Sequence, residues 1–211
     1  MLVQIVLFTG FDPLDVVASF EVLSVGGNVS GGKIAVELVA LEGAGKVTGG
    51  VGGLVLESTG SIDLERADMI LVPGPAADDV SDVPALMMAA VGAGTSIFAE
   101  AMERPDVTVT TICGGSMILA VAGVLKGRNA VSHHLGLDFL ETNGVNVVRA
   151  RVVDDGDLIT AGGVTSGLDL GLYVLERELG PKIALEIEKR FEYERRGTVW
   201  RSQGQLAEVA A

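Results

Sequence analysis

The sequence predicts an open, doubly wound α/β sheet. Short runs rich in Val, Ile and Leu alternate along the chain with longer segments whose apolar residues recur at helical spacing. Because the strand-like runs are continuously apolar, they suit a mostly parallel sheet that is covered on both faces. The chain has 211 residues, of which 48% are hydrophobic and 20% charged. This length and composition suit one large domain over residues 1–211.

Five segments are the predicted strands of the sheet. They cover residues 3–8, 33–41, 69–74, 107–113 and 157–163. A glycine-punctuated stretch over 47–58 predicts a hairpin or a pair of short strands, and 148–163 carries a "DDGD" turn between two β-rich runs. These predicted strands determine where the loops between them lie.

Helical spacing fills the intervals between the strands. It covers residues 14–27, 82–104, 115–127, 135–144 and 167–196, and several of these segments end at glycine. From about residue 196 the chain is expected to be peripheral, and "RSQGQLAEVAA" has weak helical potential.

Charge and composition exclude several classes of partner. With 28 acidic against 15 basic residues, the net charge of -13 disfavours nucleic acid. The apolar start, "MLVQIVLF", lacks a basic leader and indicates a first strand, and no apolar run reaches the roughly 18 residues of a membrane span. The single cysteine cannot form an internal disulfide, which fits the cytoplasm. We therefore expect a cytoplasmic protein with a small-molecule substrate and neither a nucleic-acid nor a membrane partner.

Ligands of open α/β sheets bind beyond the carboxyl ends of the strands. The residues that follow predicted strands are Asp12 and Asp15, residues 73–76, Cys113 with Gly114, and residues 161–167. These positions are expected to converge on one cleft.

Cys113 is the strongest candidate for chemistry. It lies between a predicted strand and "GGS" at the start of a helix, the layout of a nucleophile elbow. A helix N-terminus stabilises a thiolate, so an enzymatic role predicts a thiol pKa below that of free cysteine. The alternative is a buried cysteine that acts as a small apolar residue.

Asp15 and the two histidines have two interpretations each. Asp15 either is an N-cap or first-turn acid of the first helix or moves a proton at the Cys113 thiol. His133 either acts as a base near the cleft or belongs, with His134, to a strand-to-helix junction. Two histidines without a second ligand cluster do not indicate a zinc site.

Four stretches together resemble the ThiJ/PfpI branch of the class I glutamine amidotransferase-like superfamily. They are "VQIVLFTGFDPLDVVASFEVL" (3–23), "ADMILVPGP" (67–75), "VTTICGGSMILAVAGVLKGRNAVSHH" (109–134) and "DGDLITAGGVTSGLDLGLYVLERELG" (155–180). Within this branch the sequence is most similar to isocyanide hydratases. The resemblance implies a flavodoxin-like three-layer sandwich, a homodimer, a nucleophile at Cys113 and an acid-base partner at Asp15, with no metal or organic cofactor.

The resemblance also implies substrate contacts, and at two of these positions the chain departs from the pattern. The implied contacts are Gly74, Pro75, Ala76, Gly114, His133 and Gly163. Gly114 stands where the hydratases have Thr, and Pro75 stands where the family usually has a glycine whose N–H faces the substrate. Because proline has no N–H, the amides of Ala76 and Gly114 are the candidates to replace that donor.

The reaction that the resemblance implies is hydration of an isocyanide to an N-substituted formamide through a thioimidate on Cys113. Gly114 in place of His argues against the protease-like branch. A glyoxalase-like hydratase and a non-catalytic sensor or small-molecule binder are the alternatives. Because the chain continues only about fifteen residues beyond the resemblance, a stand-alone domain is expected rather than a fused DNA-binding regulator.

Overall fold

The computed structural model describes residues 1–202. The strands are β1 (Leu2–Leu7), β2 (Ala35–Ala40), β3 (Gly45–Thr48), β4 (Val55–Ser58), β5 (Gly60–Ser61), β6 (Met69–Val72), β7 (Thr108–Ile112), β8 (Asn129–Ala130), β9 (Asn146–Val147), β10 (Val152–Asp154), β11 (Leu158–Ala161) and β12 (Trp200–Arg201). The helices are α1 (Pro13–Val29), α2 (Val83–Glu103), α3 (Gly115–Val121), α4 (Leu137–Thr142), α5 (Ser166–Leu179) and α6 (Pro181–Phe191).

The main sheet has the strand order β12-β10-β11-β7-β6-β1-β2-β5. All pairings from β11 to β5 are parallel, β10 is antiparallel to β11, and β12 is parallel to β10. Helices flank this mixed, mostly parallel sheet: α1 packs against α5, α5 against α6, and α2 against α3. The predicted doubly wound α/β fold is confirmed.

The order of the strands creates a switch point between β1 and β6. From β1 the chain moves outward to β2, and it later returns to the other side of β1 through β6, β7 and β11. Loops on the two sides of such a point diverge and leave a crevice at the carboxyl ends of the strands. The loops after β1 and β6 are also joined directly, since Asp12 N donates to Gly74 O at 2.8 Å and Ala76 N to Gly10 O at 2.9 Å.

Most predicted elements appear with shifted ends. All five predicted strands are present, β3 and β4 form the expected hairpin, and the "DDGD" turn joins antiparallel β10 and β11. The helical run over 167–196 divides into α5 and α6 because Gly180, with φ 91°, precedes Pro181. Of the expected peripheral tail, Trp200 and Arg201 form the edge strand β12, and residues 203–211 lie outside the described residues.

One described segment meets the length and composition of a membrane span, in contrast to the expectation from the sequence. It covers Val80–Glu103, with a mean hydropathy of 1.4. Core helices of other folds pass the same test, and α2 within this segment packs against α3 and β7.

Candidate active site

Cys113 occupies a strained turn between β7 and α3. Its φ of 54° lies in the left-handed region, which costs a non-glycine residue about 1 to 3 kcal/mol. The turn is held on both sides. Cys113 N donates to Ala161 O at 3.1 Å and Gly162 O at 3.0 Å, while Cys113 O accepts from Ser132 Oγ at 2.6 Å and His133 N at 3.3 Å. The surrounding hydrogen bonds therefore impose the conformation that the elbow layout predicted.

A buried polar network supports the turn from below. Thr111 Oγ1 and Ser116 Oγ lie 2.6 Å apart, and Ser116 Oγ donates to Val131 O at 2.7 Å. Val131 N in turn donates to Thr160 Oγ1 at 2.9 Å. These bonds join β7, the first turn of α3 and β11, so the segment that carries Cys113 is fixed to its neighbours.

The Cys113 thiol is buried, with 7% of the residue exposed. Burial, followed by the charge of Asp15, raises the pKa of Cys113 to about 12, although the N–H groups of Val164 and Gly114 hydrogen-bond to Sγ and act in the opposite direction. The expected low-pKa thiol is therefore wrong for the ligand-free protein. Desolvation outweighs the two amides at the start of α3 and in the loop after β11.

Asp15 lies beside this thiol on the first turn of α1 and is fully buried. Asp15 Oδ2 accepts a hydrogen bond from Gly74 N at 2.8 Å, whereas Oδ1 is buried and has no hydrogen-bond partner among the described residues. Burial, and then the charge of Asp12, raises the pKa of Asp15 well above its ordinary value. Asp12 is the residue that caps α1, through Leu14 N at 2.9 Å. Asp12 rather than Asp15 therefore caps α1, whereas Asp15 is an acid of the first turn, which is the other form of the structural interpretation. It is also a buried carboxyl group near the thiol.

Gly74 links the acid to the thiol. A Cβ added at Gly74 would lie 2.6 Å from Gly114 N and 3.1 Å from Cys113 Cβ, which no side chain tolerates. The glycine therefore lets the loop after β6 pass directly against the cysteine turn while its N–H binds Asp15.

The two departures from the hydratase pattern are in contact with each other. A Cβ added at Gly114 would lie 2.9 Å from Pro75 Cδ. A threonine at position 114 would collide with the proline ring, so Pro75 accounts for the glycine after the nucleophile.

A cavity of about 320 Å³ opens above the thiol. Of the predicted site residues it brings together Cys113, Gly114, Pro75, Ala76 and His133. Its remaining walls are mainly apolar and come from Asp12, Ala77, Val80, Val83, Pro84, Met87, Met117, Leu135, Gly136 and Val164. Asp15 and Gly74 lie behind this surface, and Gly163 lines an adjoining pocket instead.

His133 lines the cavity as a neutral imidazole. Burial and then His134 lower its pKa, against the opposing charge of Asp12. Nδ1 accepts a hydrogen bond from Leu135 N at 3.3 Å, which assigns the proton to Nε2. With its acceptor nitrogen engaged, the ring is placed to donate to a ligand rather than to take the thiol proton.

The amide donors differ from those expected. Ala76 N is committed to Gly10 O, so it cannot replace the N–H that Pro75 lacks. Gly114 N and Val164 N are directed at Cys113 Sγ. Val164 was not singled out from the sequence, although the glycines immediately before it pointed to the same loop.

The comparisons with known proteins identify the family of the chain. The DJ-1/PfpI family model matches residues 1–177. The chain belongs to the DJ-1/PfpI family. A ThiJ/PfpI family protein from Pseudomonas syringae has a similar structure, with a TM-score of 0.76 and 27% identity over 92% of this chain and 76% of that one.

Two curated relatives of this DJ-1/PfpI chain have different functions. An isonitrile hydratase from Pseudomonas putida is 40% identical over 85 residues, which cover 40% of this chain and 37% of the hydratase. The HTH-type transcriptional regulator CdhR from Pseudomonas aeruginosa is 28% identical over 142 residues, 66% of this chain and 40% of the regulator. The matches thus span about two fifths of each curated relative's length.

Proposed function

We propose that the protein hydrates isocyanides to N-substituted formamides, with Cys113 as nucleophile and Asp15 as the acid-base group. The observation that carries the proposal is the pair itself: a thiol on a strained turn and a buried carboxyl group whose Oδ1 has no partner among the described residues. The similarity to an isonitrile hydratase supports the reaction class.

The high pKa values of the two groups suit this chemistry. Hydration first adds S–H across the terminal isocyanide carbon, so the carbon must gain a proton as the S–C bond forms. Asp15 gives its proton to the carbon and receives the thiol proton, leaving a neutral thioimidate on Cys113. Water then attacks the same carbon and gives one proton to the imine nitrogen; as the C–S bond breaks, its other proton passes to sulfur, which releases the formamide and restores the thiol.

The surrounding groups stabilise the charge that develops on sulfur. Gly114 N and Val164 N hydrogen-bond to Sγ and so favour the thiolate as the S–H bond breaks. The apolar cavity keeps bulk water away from the reacting carbon while leaving His133 Nε2 as a donor at its rim.

The test is turnover of a small isocyanide panel, followed by NMR detection of the formamide. We expect native protein to form formamide and Cys113→Ala to lose the activity by at least about a thousandfold, because the nucleophile is removed. Ser81→Ala, at an exposed position of the 3₁₀ turn Val80–Asp82, is the matched control. Formation of formamide by Cys113→Ala at the native rate would overturn the assignment.

A non-catalytic sensor is the second candidate. The regulator CdhR matches a larger share of this chain than the hydratase does, and the mainly apolar cavity of about 320 Å³ over Cys113 has room for a small ligand. Unchanged isocyanide and methylglyoxal after prolonged incubation, together with ligand-dependent thermal stabilisation, would favour this function.

We also propose that the chain forms a homodimer through α1. Leu14, Val17 and Phe20 recur at helical spacing on its outer face and are 44%, 39% and 37% exposed. This face lies opposite the buried Asp15. Phe20→Glu is expected to convert a dimer into a monomer in sedimentation equilibrium, and a native monomer would contradict the proposal.

A further inference from the structure

A second pocket adjoins the cavity over Cys113. It has a volume of about 550 Å³ and shares His133 and Val164 with the first cavity. A Cβ added at Gly163 would lie 2.4 Å from His133 Cδ2, so the imidazole packs against Gly163 where the two spaces adjoin. The pocket therefore begins at Val164, the residue whose N–H bonds to the thiol sulfur.

The polar lining of this pocket consists of two arginines, two histidines and three hydroxyl side chains. It comprises Arg149, Arg151, His133, His134, Ser132, Thr165 and Ser166, with no Asp or Glu. This is unexpected in a chain with a net charge of -13. Of the other large described cavities, one of about 890 Å³ is lined by four Asp and a Glu beside Arg177 and Arg201, and one of about 560 Å³ is lined by three Asp. The pocket beside the thiol thus attracts anions on an otherwise acidic surface.

The two arginines differ in how their charge is compensated. Arg151 Nε donates to Asp169 Oδ2, and Arg151 Nη2 donates to Thr165 Oγ1 at 2.8 Å. Arg149 is exposed and forms no salt bridge within residues 1–202. One uncompensated guanidinium, with hydroxyl groups nearby, matches a single negative charge better than a dianion.

We propose that this pocket binds a carboxylate carried by the ligand of Cys113, with Arg149 as its main contact. The inference rests on the proposed function in taking the Cys113 cavity as the substrate site, and it names the substrate class: a small organic acid whose reactive group reaches the thiol past His133. Arg149 is accordingly a specificity residue that binds the remote end of the substrate.

The experiment compares an acid with its neutral ester and requires no turnover. Calorimetry measures the binding of 4-formamidobenzoate and of its methyl ester to the native chain, to Arg149→Gln and to Arg190→Gln. Arg190 lies on α6 in an exposed ion pair with Glu186 and serves as the control. We expect the native and control proteins to bind the acid about tenfold more tightly than the ester. Arg149→Gln should lose that preference while its affinity for the ester is unchanged.

Equal affinity for acid and ester, binding of neither compound, or a preference that persists in Arg149→Gln would each overturn the proposal. Its failure is distinguishable from failure of the hydratase assignment. A preference for the acid without isocyanide turnover supports the pocket alone, whereas turnover of neutral isocyanides without the preference supports the hydratase alone.

Discussion

Asp15 and Asp155 lie at opposite ends of the main sheet, and the structure shifts the pKa values of their carboxyl groups in opposite directions. Asp155 accepts hydrogen bonds from Arg128 Nε and Asn129 Nδ2, each at 2.7 Å, and from Asn129 N at 3.3 Å. Although burial raises the pKa of Asp155, these donors outweigh it and the pKa is lowered. Asp15 has one donor, Gly74 N, and its pKa is raised. The difference lies in burial and in the donors: Asp15 is fully buried with one backbone donor, whereas Asp155 is partly buried with three donors, one of them a guanidinium.

That difference separates a structural region from a functional one. The cavity at the Asp155 end, of about 890 Å³, is larger than the one over Cys113, but its charged groups bind one another. Tyr173 OH donates to Asp154, and Arg128 contacts both Asp155 and Asp157. At the Cys113 end a strained backbone and an unpartnered carboxyl oxygen persist together. The strained backbone and the carboxyl oxygen without a hydrogen-bond partner, rather than the volume of the cavity, therefore identify the functional region.

The largest expected effect concerns the Cys113 thiol. Because burial and Asp15 raise its pKa to about 12, alkylation by iodoacetamide should accelerate about tenfold per pH unit between pH 7 and pH 10 and show no plateau. Intact-mass spectrometry follows the reaction at this single cysteine. If the alkylation rate reached a plateau near pH 8.5, as it does for free cysteine, the thiol pKa would not be raised and the two ends of the sheet would not differ as described.

Asp15→Asn should lower isocyanide turnover by about a hundredfold or more, because the isosteric amide keeps an acceptor for Gly74 N but cannot relay a proton. The same variant tests the sign of the pKa shift. A carboxyl group with a raised folded pKa contributes stability at low pH that is lost as pH rises from its unfolded pKa toward the folded value.

Urea unfolding should therefore show that the free energy of unfolding falls less between pH 4 and pH 7 for Asp15→Asn than for the native protein. Identical pH dependence in the two proteins would mean that Asp15 is already ionised in the folded state.

Gly114→Ala should reduce the free energy of unfolding by about 1 to 3 kcal/mol, because its Cβ collides with Pro75 Cδ. In a Pro75→Gly background the same substitution should cost almost nothing. Gly92→Ala is the matched control, since a Cβ there meets no atom within 4 Å and lies in α2. An equal cost of Gly114→Ala in both backgrounds would show that the two positions are independent.

The smallest effect is expected at the other end of the sheet. Asp155→Asn should cost about 1 kcal/mol at pH 7 without changing turnover, because the carboxylate binds Arg128 and Asn129 away from the cavity over Cys113. Since its folded pKa is lowered, this contribution is present above the unfolded pKa and is lost as the pH falls through the folded pKa. A change in isocyanide turnover in Asp155→Asn would contradict the assignment of the Asp155 end to structure alone.

The fold and the principal residues were predictable from the sequence because both depend on local patterns. Apolar runs located the strands, and the residues after β1 and β7 identified Asp15 and Cys113. The thiol pKa was predicted in the wrong direction, since helix position is local whereas burial depends on the packed structure. The Val164 N–H and the contact between Gly114 and Pro75 also required tertiary distances, because they join loops 39 or more residues apart.

The central claim is that Asp15 holds a proton at neutral pH for use at Cys113. The most direct measurement is the infrared difference spectrum between the native protein and Asp15→Asn at pH 7. A protonated-carboxyl C=O band in the native protein, shifted when Cys113 is alkylated, is the predicted result. A carboxylate band in its place, unaffected by alkylation, would contradict the account.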